Sequence, residues 1–264
     1  MIVDFMREIR KPITGIIDIH THPHWVEPFK RMQDMIRLAK SAGIGKLVVL
    51  GGNLDFGHRP TVPQVAKIND LTIALLRRWP EELVGFCRLN PEHPKSSVLQ
   101  EIDRCFATGL FKGIKLAVFP NARSTRLDPV MRKAGELGAA VLHHCWYKTV
   151  QKYEGESDPT DIADLAARFP GIKIIMAHLS ACGCRGMLDV KPFKNVYVDT
   201  SGSPAITGMV EYGVKVLGAD RLLFGSDAFG RDFSVQLGRV LDADISEAQR
   251  LMILRENAVK LLGL

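Results

Sequence analysis

Short apolar runs alternate along this chain with stretches whose apolar residues return at helical spacing. The first run is Ile16-Ile-Asp-Ile-His-Thr-His22. Its β-branched residues favour a strand, and Pro23 ends it because proline donates no ladder hydrogen bond. Side-chain alternation predicts Asp18, His20 and His22 on one face, with Ile17, Ile19 and Thr21 on the other. From Glu27 to Gly43, Met32, Met35, Ile36, Leu38 and Ala39 mark a helix, and Gly43 suits its stop. Lys46 to Gly52 reads as a buried strand, Val62 to Trp79 as a helix ended by Pro80, and Leu83 to Asn90 as a third strand. A helix over Ser96 to Thr108 precedes a fourth strand, Phe111 to Phe119. Asp128-Pro129 opens the next helix with a capping residue and a proline at its first position. Ala139 to Cys145 is a fifth strand.

The second half repeats the pattern. Asp158-Pro159 caps a helix that runs to Phe169, and Ile172 to His178 is a sixth strand. An irregular stretch through Leu188 follows. Asn195 to Thr200 and Arg221 to Asp227 are the seventh and eighth strands, separated by a helix over Pro204 to Leu217. Helices over Ser234–Leu241 and Ser246–Leu262 finish the chain, the latter opened by a Ser246/Gln249 capping box. Eight nearly all-apolar strands alternating with helices predict an α/β fold, a (β/α)8 TIM barrel over 1–264 as a single domain. A doubly wound open sheet is the competitor, weakened because no glycine-rich phosphate loop follows the first strand. Trp146 to Glu156 is the longest loop without periodicity and a candidate lid.

Composition narrows the picture little. Hydrophobic residues make up 46% and charged residues 24% of 264, ordinary for a soluble protein. The net charge of +6 is spread along the chain, which favours a solvated basic surface over a nucleic-acid footprint and is compatible with anionic substrates. Five cysteines without framework spacing read as free thiols in a reducing compartment. Met1 to Lys11 does not read as a signal peptide, and no run approaches the ~20 apolar residues a bilayer needs. A cytoplasmic protein is expected.

The candidate chemistry sits at strand ends, where a barrel of this kind carries its active site. The first strand ends in His20 and His22, the fifth in His143-His144, the sixth in His178 and the eighth in Asp227. Five of the eight histidines thus fall at three strand ends. A lone strand histidine is more often a core residue than a ligand. Together with Asp227, which would be costly to bury unpaired, the set describes a catalytic zinc-type site with N and O ligands. His143 and His144 point to opposite faces, so one can face the barrel axis. Cys182 and Cys184 read as thiols in a loop. Arg88 could take a carboxylate bidentately, and Trp146, Tyr147 and Lys148 line the pocket or merely cover the barrel top.

The chain resembles the amidohydrolase superfamily, in particular the amidohydrolase-2 branch that includes aminocarboxymuconate semialdehyde decarboxylase. The resemblance rests on Asp18-Ile-His-Thr-His22, Gly113-Ile-Lys-Leu116, Val141-Leu-His-His144, Phe169 through Leu179, Asn195 through Ser201, Arg221 through Ala228 and Asn257 through Leu264. It implies His20, His22 and His144 as metal ligands and Asp227 as ligand and proton carrier. It implies His178 as an acid–base group, or as a ligand in two-metal members. One divalent metal is expected, Zn²⁺ first, with Mn²⁺ or Fe²⁺ as alternatives. Lys115 has three readings: a carboxylated bridge to a second metal, a cation for a substrate carboxylate, or a member of a structural ion pair. Asp18 reads as a deeper carboxylate that supports the ligands. The implied function is a metal-dependent hydrolase of a small carboxylate-, amide-, ester- or lactone-containing molecule. The alternatives are a non-oxidative decarboxylase and an inactive barrel acting as a binding protein. The expected partner is a small anionic molecule, with no nucleic acid or membrane, and a homodimer stays open.

Overall fold

The computed structural model describes residues 13–52, 56–148, 150, 152–202 and 204–264. The reading of Met1 to Lys11 lies outside them. Eight parallel strands form one sheet in sequence order: β1 (Ile16–Thr21), β2 (Ile44–Val49), β3 (Leu83–Leu89), β4 (Phe111–Leu116), β5 (Ala140–His143), β6 (Ile174–Met176), β7 (Val196–Asp199) and β8 (Leu222–Leu223). The sheet curls until its last strand meets its first. The Ile19 N–H donates to Phe224 O at 3.0 Å, Asp227 N–H to His20 O at 2.8 Å, and Thr21 bridges Ala228 in parallel. The result is a (β/α)8 TIM barrel.

Between the strands run α1 (Pro28–Ser41), α2 (Val62–Arg78), α3 (Lys95–Phe106), α4 (Asp128–Glu136), α5 (Pro159–Arg168), α6 (Leu179–Val190) and α7 (Met209–Leu217). After β8 come α8 (Phe233–Leu241), α9 (Glu247–Leu251) and α10 (Asn257–Leu262), the last two joined through a π-helical turn, Met252–Glu256. The Ser246/Gln249 capping box is present, as is Asp158 capping α5. Among the described residues no helix is long and apolar enough to cross a membrane.

Alternation along the strands sorts two cores. Ile17, Ile19, Val48, Leu50, Phe86, Leu142, Ile175 and Leu223 pack together inside the barrel. Ile16, Leu47, Cys87, Val141 and Val198 face the helices and meet residues such as Met35, Ile102 and Leu165. Each fully buried Leu, Ile or Phe contributes about 1.5–3 kcal/mol. Ala258 and Leu261 of α10 join the inner core, and Lys173, just before β6, donates to Leu261 O. The amino end of the barrel is therefore filled, which leaves the carboxyl ends of the strands for chemistry.

Three local expectations are corrected. The stretch expected to be irregular through Leu188 is α6, with Cys182 buried and both Cys182 and Cys184 on the helix rather than in a loop. Gly183, at φ 64° and ψ −175°, kinks it and masks its periodicity. The helix expected from Pro204 begins only at Met209, after Gly208 at φ 79°. On β1 the strict alternation fails: Ile19 packs in the inner core, yet His20 also faces inward. A Cβ at Gly225 would lie 2.9 Å from His20 Cβ and 3.5 Å from Asp199 Cβ. The pairing of β1 with β2 shifts register between Asp18 and Thr21, which turns consecutive residues to one side.

Candidate metal centre at the barrel mouth

A pocket at the carboxyl rim brings together His20, His22, Arg88, Lys115, His144, Trp146, Lys148, His178 and Asp227 from the sequence expectations. His58, Tyr153 and Glu156 line it as well. Strand alternation delivers several of these: Arg88 and Lys115 are register partners on β3 and β4, and His144 continues the inner face of β5 beyond Leu142. His178 and Asp227 instead reach the pocket through left-handed backbone, at φ 71° and φ 68°. Non-glycine residues adopt that region at a cost.

The hydrogen bonds fix the imidazole tautomers. His22 Nδ1 lies 3.1 Å from Gly51 O. A carbonyl only accepts, so Nδ1 carries the proton and Nε2 a lone pair. His20 Nδ1 lies 2.8 Å from Asp199 Oδ2, which leaves its Nε2 in the same state. Burial first, then Lys115 for His20 and the neighbouring His20 ring for His22, holds both pKa values well below the usual value, so both are neutral. Yet the two Nε2 atoms face Asp227 Oδ1 at 3.7 and 3.5 Å. Three electron-rich atoms converge with no hydrogen to share. Donors about 2 Å from a tetrahedral metal stand about 3.3 Å apart, so this set fits a divalent cation. Asp199 and the Gly51 carbonyl orient the two rings through their Nδ1 atoms, as outer partners of metal-bound histidines do.

A second close set of possible ligand atoms comes from His20, His178 and Asp199, but His20 Nδ1 and Asp199 Oδ2 are hydrogen-bonded to each other and His178 Nδ1 lies 3.0 Å from Ser201 Oγ. His144 belongs to neither set. Its Nε2 lies 2.8 Å from Glu156 Oε1, so its lone pair is on Nδ1, and its ring centroid stands 5.2 Å from that of His178. His143 faces the helices, fully buried, with its pKa lowered by burial to about 4. Burial pushes Asp227 up to about 6, with Lys115 opposing.

Asp18 acts on backbone rather than on a ligand ring. Its Oδ1 accepts from the N–H groups of His20 and Ser226, both at 3.0 Å, in the seam between β1 and β8. Burial raises its pKa to about 7. Lys115 and Arg88 are each only 3% exposed, and neither has a carboxylate within 4.0 Å among the described residues. Burial lowers Lys115 to about 7 and Arg88 to about 10. Lys148 Nζ is 2.9 Å from Glu156 Oε1 and sits over the Trp146 and Tyr153 rings.

Asp199, Ser201 and Glu156 were not among the residues singled out from the sequence. Asp199 ends a buried strand as Asp227 does, so the strand-end criterion finds it too. Ser201 and Glu156 carry no such signal.

A parallel barrel with this donor set at its carboxyl rim is the architecture of a metal-binding TIM-barrel enzyme. The chain belongs to the amidohydrolase family, whose model matches residues 17–264. No curated protein matches it by sequence. Solved structures share its fold. 2,6-Dihydroxybenzoate decarboxylase from Rhizobium is 15% identical with a TM-score of 0.77, covering 95% of this chain and 99% of that one. Dihydroxybenzoic acid decarboxylase from Polaromonas sp. JS666, with bound manganese and the inhibitor 2-nitroresorcinol, is 17% identical with a TM-score of 0.79, covering 96% and 98%. 4-Oxalomesaconate hydratase from Rhodopseudomonas palustris is 15% identical with a TM-score of 0.70, covering 94% and 95%.

Proposed function

We propose that this chain is a metal-dependent enzyme of small carboxylic acids that hydrolyses an amide, ester or lactone bond through a metal-activated water. The observation that carries the reading is the Arg88–Lys115 pair. Two cations on adjacent strands line the pocket beside His20, His22 and Asp227, buried and without an acidic partner among the described residues. Arg88 Nε has no hydrogen-bond partner. An unpaired buried charge is costly, and a substrate carboxylate relieves that cost.

His20, His22 and Asp227 would hold the metal, and His144, which lines the same pocket with its lone pair on Nδ1, would complete the set. A divalent metal such as Zn²⁺ or Mn²⁺ supplies Lewis acidity and brings the pKa of water toward ~7. Arg88 grips the substrate carboxylate through its planar fork, and Lys115 adds a point charge beside it. Asp227 takes a proton from the attacking water and returns it to the leaving group. His178, neutral and buried, is the second proton acceptor. Carboxylation of Lys115 as a bridge to a second metal is the competing role for that residue.

Decarboxylation is the second reading. It is favoured by the fold shared with the Rhizobium and Polaromonas decarboxylases, and by the same cation pair, which would hold the departing carboxylate. Asp227 or His178 would then deliver a proton to carbon.

The test uses Zn²⁺- and Mn²⁺-loaded protein with carboxylated lactones, esters and amides beside hydroxybenzoates, following acid release and CO₂ separately. Acid release without CO₂ supports hydrolysis, and CO₂ supports the second reading. Arg88→Leu should raise KM about 10- to 100-fold, the loss of one charge-assisted hydrogen bond. Uncharged analogues turned over as well as the acids would refute the carboxylate assignment.

A further inference from the structure

The Ser201 hydroxyl joins His178 to the Asp199–His20 pair, a link that the metal account leaves out. It makes a short hydrogen bond with Asp199 Oδ1 and lies 2.9 Å from His20 Nδ1 and 3.0 Å from His178 Nδ1. Asp199 Oδ1 also accepts from the backbone N–H groups of His178, at 3.0 Å, and Ser201, at 2.9 Å. Amide N–H groups can only donate, so Oδ1 is an acceptor. Two oxygens in short contact need a hydrogen between them, and here it is the serine's. A hydroxyl has one hydrogen, so Ser201 Oγ can only accept from His178. The proton of the His178 ring therefore sits on Nδ1, and Nε2 keeps its lone pair.

A second feature fixes the ring from below. Gly202 has φ +60°, and a Cβ there would stand 2.4 Å from His178 Nδ1. The backbone passes directly against the nitrogen that Ser201 holds. The ring lines the pocket, and His178 Nε2 makes no hydrogen bond among the described residues.

We propose that Ser201 is a positioning residue that extends the hold of Asp199 to His178, locking its Nδ1-protonated tautomer and presenting the Nε2 lone pair to the pocket. The use of that lone pair as a proton acceptor rests on the function proposed above. The tautomer does not, because it is read without substrate.

The experiment is a long-range ¹H–¹⁵N correlation of the histidine rings in the ¹⁵N-labelled full chain, with and without Zn²⁺, with His178→Gln to assign the resonances. Wild type should show Nδ1 protonated and Nε2 unprotonated in both states. In metal-free Ser201→Ala the Nε2 resonance should shift toward the protonated position, and Ser201→Thr should restore the wild-type pattern. If Ser201→Ala does not fold, Ser201→Gly serves the same comparison. Once a substrate is in hand, Ser201→Ala should lower kcat by about 10²-fold, the low end of acid–base contributions, with KM little changed. A wild-type ring protonated on Nε2, or a tautomer unchanged when the hydroxyl is removed, would overturn the proposal.

Discussion

At the scale of the residue, two aspartates end two buried strands and do different work. Asp227 turns toward the Nε2 atoms of His20 and His22 at 3.7 and 3.5 Å. Asp199 turns toward the far side of His20 and gathers amide and hydroxyl donors. Both are ionisable groups at the end of an apolar run, so both were legible in principle. Histidines clustered at strand ends are unusual, whereas one more aspartate is not. Ser201 and Glu156 were not legible, since each matters only through the ring beside it, and a sequence does not print neighbours. If Asp227 carries the proton, Asp227→Asn should reduce turnover by at least about 10²–10⁴-fold while the circular-dichroism spectrum and melting transition persist. Full activity in that variant would remove it from the proton-carrying role.

At the scale of the element, periodicity found every strand but not every turn of backbone. Alternation failed on β1, where a register shift lets Ile19 and His20 both face inward. It also says nothing about His178 and Asp227, which reach the pocket through positive φ. Helix α6 was hidden by Gly183. The candidate lid from Trp146 to Glu156 is tied at its base: Trp146 N–H donates to Ser157 O and Glu156 N–H to Tyr153 O, both at 3.0 Å. Glu156 is the knot, with His144 and Lys148 on its Oε1 and the Tyr153 N–H on its Oε2. Burial pushes its pKa up, but the bonds from His144 and Lys148 outweigh burial and leave it near 2. A carboxyl held below its ordinary 4.5 stabilises the fold fully above that pH and progressively less as pH falls toward about 2. Glu156→Gln should therefore lower Tm at pH 7 and flatten the decline of Tm between about pH 5 and 3. Parallel Tm–pH curves for the two proteins would contradict the assignment.

At the scale of the whole molecule, the barrel was the most legible feature. Strands buried on both faces must be apolar throughout, and eight of them at regular spacing leave few alternatives. Closure between β1 and β8 was not legible, because it depends on irregular backbone from Phe224 to Ala228 rather than on a patterned strand. The same backbone carries Asp227 to His20 and His22, so the contacts that close the barrel also bring the candidate metal-binding atoms together. The direct test is the metal content of the full chain, measured by elemental analysis after purification without added metal and again after equilibration with Zn²⁺ or Mn²⁺ and removal of excess. The account predicts one equivalent per chain, lost in His20→Ala/His22→Ala. Less than about half an equivalent, with no gain on adding either metal, would contradict it.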